Sequence, residues 1–254
     1  KMKVIILAGG LGTRLSEYTD IIPKPMVEVN KKPIVFHIMK TYIKYRLTDF
    51  VLALGYKKKY VIDYFLKHKN LVEIIQNDNK KLIVRFRINN KICKIYLVDT
   101  GLKTNTGGRI KRLKDIIGNE KFMITYGDGI ANINMDKLLK FHNLKKGIAT
   151  ITAVHPVARF GMLEINSKNK VTYFKEKPQT KRDWINGGFF ICEPEFINYI
   201  KGDKTILEKS PLEMLSQKNK LFAYKHLGLW MCMDTKRDKD NIDKVLKKNL
   251  FFNK

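Results

Sequence analysis

The residues best suited to chemistry begin close to the amino end. Gly9-Gly10-Leu11-Gly12-Thr13-Arg14 is a glycine-rich loop that closes on a hydroxyl and a guanidinium. Glycines let backbone N–H groups approach a polyphosphate closely. A guanidinium offers a planar fork that matches phosphate oxygens. Pro23-Lys24-Pro25 then sets a second cation on a stiff segment, and Glu176-Lys177-Pro178 a third. Two acidic positions stand out: Asp128 between Gly127 and Gly129, and Asp234 between Met233 and Thr235. These types suit the joining of two phosphorylated molecules. A phosphate monoester, whose second pKa is about 6, is already mostly a dianion near neutrality. It needs no base to attack the α-phosphorus of a nucleoside triphosphate and expel pyrophosphate, and none of the five histidines falls in a motif. The difficulty is to bring anions together, which calls for cations and an in-line arrangement. In that scheme Arg14 and the loop hold the triphosphate, Lys24 neutralises charge at the α-phosphate and Lys177 holds the acceptor phosphate. Asp128 and Asp234 share a Mg²⁺.

Each feature also has a plainer explanation. A glycine loop can be a tight turn. It is not a Walker loop, since the Gly-Lys-Ser/Thr ending is absent, and not a dinucleotide fingerprint, since the third glycine position is Leu15. Asp128 alone reads equally well as a turn residue. Thr235 and Asp238 have the spacing of a capping box, so Asp234 by itself reads as a neighbour of a helix start.

The elements that must position these groups can be read from periodicity. Lys3-Val4-Ile5-Ile6-Leu7-Ala8 is an apolar run bounded by glycines, the pattern of a strand buried on both faces. Pro33 opens a helix running to about Arg46, with Ile34, Val35, Ile38, Met39 and Tyr42 on one face and His37 packed beside it. Phe50 to Leu54 is a second buried strand, followed by a helix to about Lys67. This alternation predicts a mainly parallel sheet with crossover helices. Residues 70–99 read as three short strands, taken as a small antiparallel hairpin element lying over the sheet or open to a partner subunit. A helix is expected from Gly108 to Ile117, and Phe122 to Tyr126 is a strand ending at Asp128. Beyond Ile148 the strands suggest a more antiparallel, acceptor-binding half. Its candidate residues are Gly161, Glu176, Lys177, Asn186, Gly187 and Trp230. Thr205 to Lys218 reads as a helix bent by Pro211, and a last helix starts at Lys236.

With 254 residues, 44% apolar and 29% charged, the chain can bury a substantial core in a single domain. That domain divides into a nucleotide-binding half at 1–130, an acceptor half at 131–235 and the terminal helix. No stretch reaches the roughly 18–20 apolar residues of a membrane span, and the opening residues do not read as a signal peptide. Three scattered cysteines form no Cys-x-x-Cys pair, which argues against zinc or redox chemistry and for a reducing cytoplasm. The net charge of +26 would suit nucleic acid, but the lysines are spread over every region with no nucleic-acid motif. They read as a solvated surface that also draws in anionic substrates. Neither nucleic acid nor membrane is expected as a partner.

A longer series of blocks carries a resemblance. Leu7-Ala8-Gly9-Gly10-Leu11-Gly12-Thr13-Arg14-Leu15 and Pro23-Lys24-Pro25-Met26 open it. Val98-Asp99-Thr100-Gly101, Thr106-Gly107-Gly108-Arg109, Thr125-Tyr126-Gly127-Asp128-Gly129 and Arg159-Phe160-Gly161 follow, then Glu176-Lys177-Pro178, Trp184 to Phe190, and Met233-Asp234-Thr235. In this order the blocks resemble the sugar-1-phosphate nucleotidylyltransferases, most of all the glucose-1-phosphate cytidylyltransferases. The resemblance implies a doubly wound, Rossmann-like nucleotidyltransferase domain, a homo-oligomer, CTP as nucleotide and Mg²⁺ as cofactor. It implies that Leu7, Ala8, Gly9, Gly10, Gly12, Thr13, Arg14, Lys24, Thr104, Arg109, Gly127 and Asp128 surround the nucleotide, and that Asp128 and Asp234 bind the metal. The chain departs from the family where Trp-Gln-Pro-Met-Asp-Thr becomes Trp230-Met231-Cys232-Met233-Asp234-Thr235, and where a Glu-Pro-Trp is replaced around Asn89 to Lys94. Those departures touch the acceptor side. They leave open glucose 1-phosphate and glutamine phosphate, the acceptor of a related cytidylyltransferase that makes CDP-glutamine for capsule phosphoramidate. A non-catalytic nucleotide-sensing subunit on the same fold is the alternative from another class; it would be expected to lack Arg14, Lys24 or one aspartate.

Overall fold

A computed structural model describes residues 2–156, 161–176 and 183–248. In chain order the strands are β1 (Lys3–Ala8), β2 (Glu28–Val29), β3 (Lys32–Pro33), β4 (Asp49–Leu54), β5 (Leu71–Asn77), β6 (Lys81–Ile88), β7 (Lys91–Asp99) and β8 (Phe122–Tyr126). They continue with β9 (Gly129–Ala131), β10 (Ala149–Val154), β11 (Met162–Ile165), β12 (Val171–Lys175), β13 (Ile185–Cys192), β14 (Leu221–Lys225) and β15 (Trp230–Cys232). The helices are α1 (Ser16–Thr19), α2 (Ile34–Ile43), α3 (Lys58–Lys67), α4 (Thr106–Lys111), α5 (Lys114–Ile117), α6 (Met135–Lys145), α7 (Ser210–Gln217) and α8 (Lys236–Lys247).

Nine strands form one mixed sheet in the order β14-β10-β13-β8-β1-β4-β7-β6-β5. Following the pairings outward from β1, only β13 and β6 run against the other seven strands. β1 sits in the middle, and its alternation feeds both sides. Val4, Ile6 and Ala8 join one core with α2, α6 and α8, whereas Ile5 and Leu7 join a second with α4, α5 and α7. A strand covered on both faces has no polar side to show, which is why the run from Val4 to Ala8 is unbroken by polar residues. The predicted face of α2 is buried as expected.

Three expectations need correcting. Residues 70–99 do not lie over the sheet. β7 pairs in parallel with β4, and β6 and β5 extend the same sheet to its edge. The helix expected over 108–117 is two short pieces, α4 and α5, broken at Arg112 and Leu113. Pro211 does not bend a long helix. It stands in the first turn of α7, where its missing N–H would have had no helical partner in any case.

Among the described residues no helix is long and apolar enough to cross a membrane. His37, 3% exposed, donates from Nε2 to the carbonyl of Val29 at 2.9 Å. Burial pushes its pKa down to about 4; Lys40 and Lys32 act in the same direction, against the Val29 bond and Asp243. The folded pKa thus lies below the unfolded value, so between them only the unfolded chain binds the proton. Stability is full above about pH 6.5 and falls towards pH 4, by up to about 3 kcal/mol from this residue. Urea midpoints should drop across that window, and less steeply in His37→Gln. Part of the slope should remain, because burial also lowers His142 and His226. Equal slopes in the two proteins would remove His37 as a source.

Candidate functional site

The loops that leave the carboxyl ends of β1 and β8 meet where the chain order reverses. From β1 the connections run to β4 and β7 on one side, while β8 flanks β1 on the other. Crevices of open α/β sheets form at such points. The two strand ends are tied together by the Gly127 N–H, which donates to the Leu7 carbonyl at 3.0 Å.

The glycine loop is held from below and from the side. Gly12 has φ 69° and ψ 27°, the left-handed conformation that glycine adopts without strain. Its carbonyl accepts the Thr19 hydroxyl at 3.0 Å and the Leu15 N–H at 2.9 Å. Gly9 is required for closeness: a Cβ there would lie 2.2 Å from a guanidinium nitrogen of Arg109. Arg109 itself, expected to contact the nucleotide, is only 4% exposed. Its guanidinium donates to the carbonyls of Gly9 at 2.9 Å, Leu54 at 3.0 Å and Gly101 at 2.8 Å, and to the Thr100 hydroxyl at 2.8 Å. It fastens together the ends of β1, β4 and β7 rather than pointing a free fork outward. Thr104, also in the expected nucleotide set, is buried nearby. Thr13 and Arg14 are exposed.

The charged centre is compact. Lys24, on the short turn Lys24–Met26 between Pro23 and Pro25, places its ammonium 2.7 Å from Asp128 Oδ2 and 2.9 Å from Asp234 Oδ1. Arg14 lies 2.6 Å from Asp234 Oδ2. One oxygen from each aspartate and the Cys232 sulfur all lie within 4.8 Å of one another. Two backbone devices bring residues 106 positions apart to this point. β15 pairs antiparallel with β9, setting Cys232 opposite Gly129, and the Met233 N–H donates to the Asp128 carbonyl at 2.9 Å. The capping box then fixes the next residues. Thr235 and Asp238 bond reciprocally, and the Asp238 carboxylate also accepts the Asp234 N–H at 3.2 Å. Asp234 is therefore both a neighbour of a cap and a member of the site; the two explanations are compatible.

Burial would lower the Lys24 pKa, but the two carboxylates outweigh it and hold the pKa above the ordinary lysine value. The amine stays charged. The Cys232 thiol is pushed well above its usual range by burial and then by the flanking carboxylates, so it is no nucleophile. Arg14 differs from Lys24 in being two-thirds exposed, and its ion pair is worth little by itself. It is free to exchange a carboxylate for phosphate oxygens.

Among the residues expected to bind the acceptor, the Trp230 indole N–H donates to the Gly187 carbonyl at 2.7 Å, which joins two of them to each other and, through β15, to the charged centre. Asn186 Oδ1 accepts the Gly188 N–H at 2.8 Å, and Asn186 Nδ2 donates to the Tyr126 hydroxyl at 3.3 Å. That hydroxyl bonds Glu208, which also accepts from Thr106 at 2.8 Å. This Tyr126–Glu208–Thr106 bridge had no sequence signal, because its members are 20 to 102 residues apart and belong to no common motif. Gly161 and Glu176 come together at the open end of the β11–β12 hairpin: a Cβ on Gly161 would be 3.1 Å from Glu176 Oε2. Lys177 lies outside the described residues.

The family description "Nucleotidyl transferase" matches residues 3–245. The chain belongs to the nucleotidyl transferase family. This nucleotidyltransferase is 44% identical over 243 residues to the glucose-1-phosphate cytidylyltransferase of Salmonella typhimurium, covering 94% of this chain and 93% of that one. It is 41% identical over 250 residues to the probable glucose-1-phosphate cytidylyltransferase of Bacillus subtilis, covering 96% of each. Among solved structures, HddC from Yersinia pseudotuberculosis matches with TM-score 0.69 and 25% identity, over 97% of this chain and all of that one. The expected enzyme class and the mixed, mainly parallel fold are thereby established.

Proposed function

We propose that this nucleotidyltransferase is a Mg²⁺-dependent cytidylyltransferase that joins CTP to a phosphorylated small molecule and releases pyrophosphate. The observation that carries the mechanism is the convergence of Lys24, Asp128, Asp234 and Arg14 at the mouth of the glycine loop. The identity to cytidylyltransferases along nearly the whole chain supports CTP as the nucleotide and glucose 1-phosphate as the first acceptor to try.

The donor set fits a hard divalent cation. Two carboxylates face each other closely enough to share one, and the Lys24 ammonium already bridges them, so a positive charge is held at that point. Magnesium bound by Asp128 and Asp234 supplies charge neutralisation for the triphosphate oxygens. The protein does the rest by position. Loop amides at 9–13 and the exposed Arg14 receive the β- and γ-phosphates. Lys24, kept charged, stands beside the phosphorus where negative charge grows. Asn186 and Gly187 of β13, buttressed by Trp230, and Lys177 orient the acceptor so that its phosphate dianion attacks in line. No protein group has to remove a proton.

Purified protein with Mg²⁺ and CTP should release pyrophosphate with glucose 1-phosphate or with glutamine phosphate, and far less with UTP, GTP or ATP. Silence with every sugar phosphate and with glutamine phosphate would end this reading. Glutamine phosphate stays in the panel because Met231 and Cys232 stand where the family pattern has glutamine and proline. A sensing subunit is disfavoured because all four charged residues are present and assembled.

We also infer that the chain forms a homo-oligomer. Among the described residues the β11–β12 hairpin pairs with no other strand, and it exposes Leu163, Ile165, Val171 and Phe174; a lone two-stranded hairpin is marginal in water. Light scattering on the eluting protein should give a multiple of 29.7 kDa; a monomer at micromolar concentration would refute it.

A further inference from the structure

The charged centre contains a donor for which nucleotidyl transfer has no use. Cys232 Sγ lies within 4.8 Å of an oxygen of Asp128 and of one from Asp234. Its place is set by backbone register, since β15 pairs Cys232 with Gly129, next to Asp128. The second observation is independent of the sulfur. The Lys24 ammonium contacts both carboxylates at 2.7 and 2.9 Å, so this point already holds a cation. Two oxygens and one sulfur thus face a position where positive charge is stabilised.

We propose that Cys232 is a third protein ligand of the divalent-metal site of Asp128 and Asp234, and that it tunes the site towards thiophilic cations such as zinc, cadmium and cobalt. The inference rests on the metal role given above to the two aspartates. Carboxylates and water suit magnesium, whereas a sulfur ligand selects softer ions. When the metal–sulfur bond forms, the S–H bond breaks and its proton passes to solvent, with no change of oxidation state. The Lys24 ammonium would yield the position between the two carboxylates to the ion. Thiophilic ions and magnesium then compete for the same two aspartates, so metal supply governs which form of the enzyme is present.

The test uses the full chain, without nucleotide, in metal-free buffer, titrated with Cd²⁺ and with Co²⁺. The wild type should develop a sulfur-to-metal charge-transfer band in the near ultraviolet that saturates at one equivalent. Cys232→Ser should lose the band. Its Cd²⁺ dissociation constant should rise about 10–100-fold, the scale on which a group supporting a metal site counts, while Mg²⁺ affinity, read by competition, should change far less. Asp128→Asn should weaken Cd²⁺ as well; circular dichroism checks that both variants are folded. A band that persists in Cys232→Ser would assign the sulfur to Cys93 or Cys192 and overturn the proposal. So would Cd²⁺ binding without a sulfur band, or no Cd²⁺ binding. Pyrophosphate release separates this from the parent reading. Turnover with Mg²⁺ but no sulfur band removes the thiol ligand alone, and a band without turnover on any acceptor removes the transferase reading alone.

Discussion

Asp128→Asn should lower kcat for pyrophosphate release by at least about 10²–10³-fold, with the thermal midpoint close to that of the wild type. The amide keeps the size of the carboxylate but carries no charge, so the site loses half of its anionic pair. The fold loses little, because Lys24 keeps Asp234 as a partner at 2.9 Å and the Met233 N–H bond goes to the Asp128 main chain. Steady-state release with saturating CTP and Mg²⁺, alongside a melting curve, reads both effects. Wild-type turnover would take Asp128 out of the centre and with it the proposed metal pair.

Arg109→Leu should damage the fold and the nucleotide site together. The substitution removes four guanidinium hydrogen bonds in a buried pocket: the Gly101 carbonyl and the Thr100 hydroxyl lose the arginine as donor, while the Gly9 carbonyl keeps only the Tyr56 N–H and the Leu54 carbonyl keeps Thr100. At about 1 kcal/mol for each lost bond, more where water cannot enter, the cost is on the order of 3–5 kcal/mol. The denaturant midpoint should fall accordingly. CTP affinity should fall too, because the Gly9 carbonyl loses the shorter of the two hydrogen bonds that hold the start of the glycine loop. Arg109→Lys should lie between, since one ammonium cannot reproduce the fork across several acceptors. A variant with an unchanged midpoint but weakened CTP binding would return Arg109 to direct contact with the nucleotide.

These two residues show how sequence and structure divide the information. Asp128 is marked by its flanking glycines at the end of a predicted strand, and its place follows from that strand being next to β1. Arg109 is marked only by a motif, and the motif is silent about which way the side chain turns. Its direction is set by where the carbonyls at the ends of β1, β4 and β7 come together, and that depends on strand order. The same reason explains the misplaced segment 70–99. Its turns and alternation are local and were legible, but the parallel pairing of β7 with β4 joins residues more than 40 positions apart, for which no local pattern exists. Cys232 is a parallel case. Cysteine spacing along the chain argues against a metal, yet the β9–β15 pairing supplies the missing neighbour from the other half of the molecule.

By itself the sequence determined the periodic elements, the glycine loop, the capping box at Thr235 and the set of charged residues. Each depends on neighbours within a few positions or on composition. Only the tertiary structure decided that Lys24 bridges two distant aspartates, that Arg109 turns inward and that a thiol joins the carboxylates. Those relations are contacts across a sheet, fixed by strand order and register, and a chain read in one dimension does not contain them.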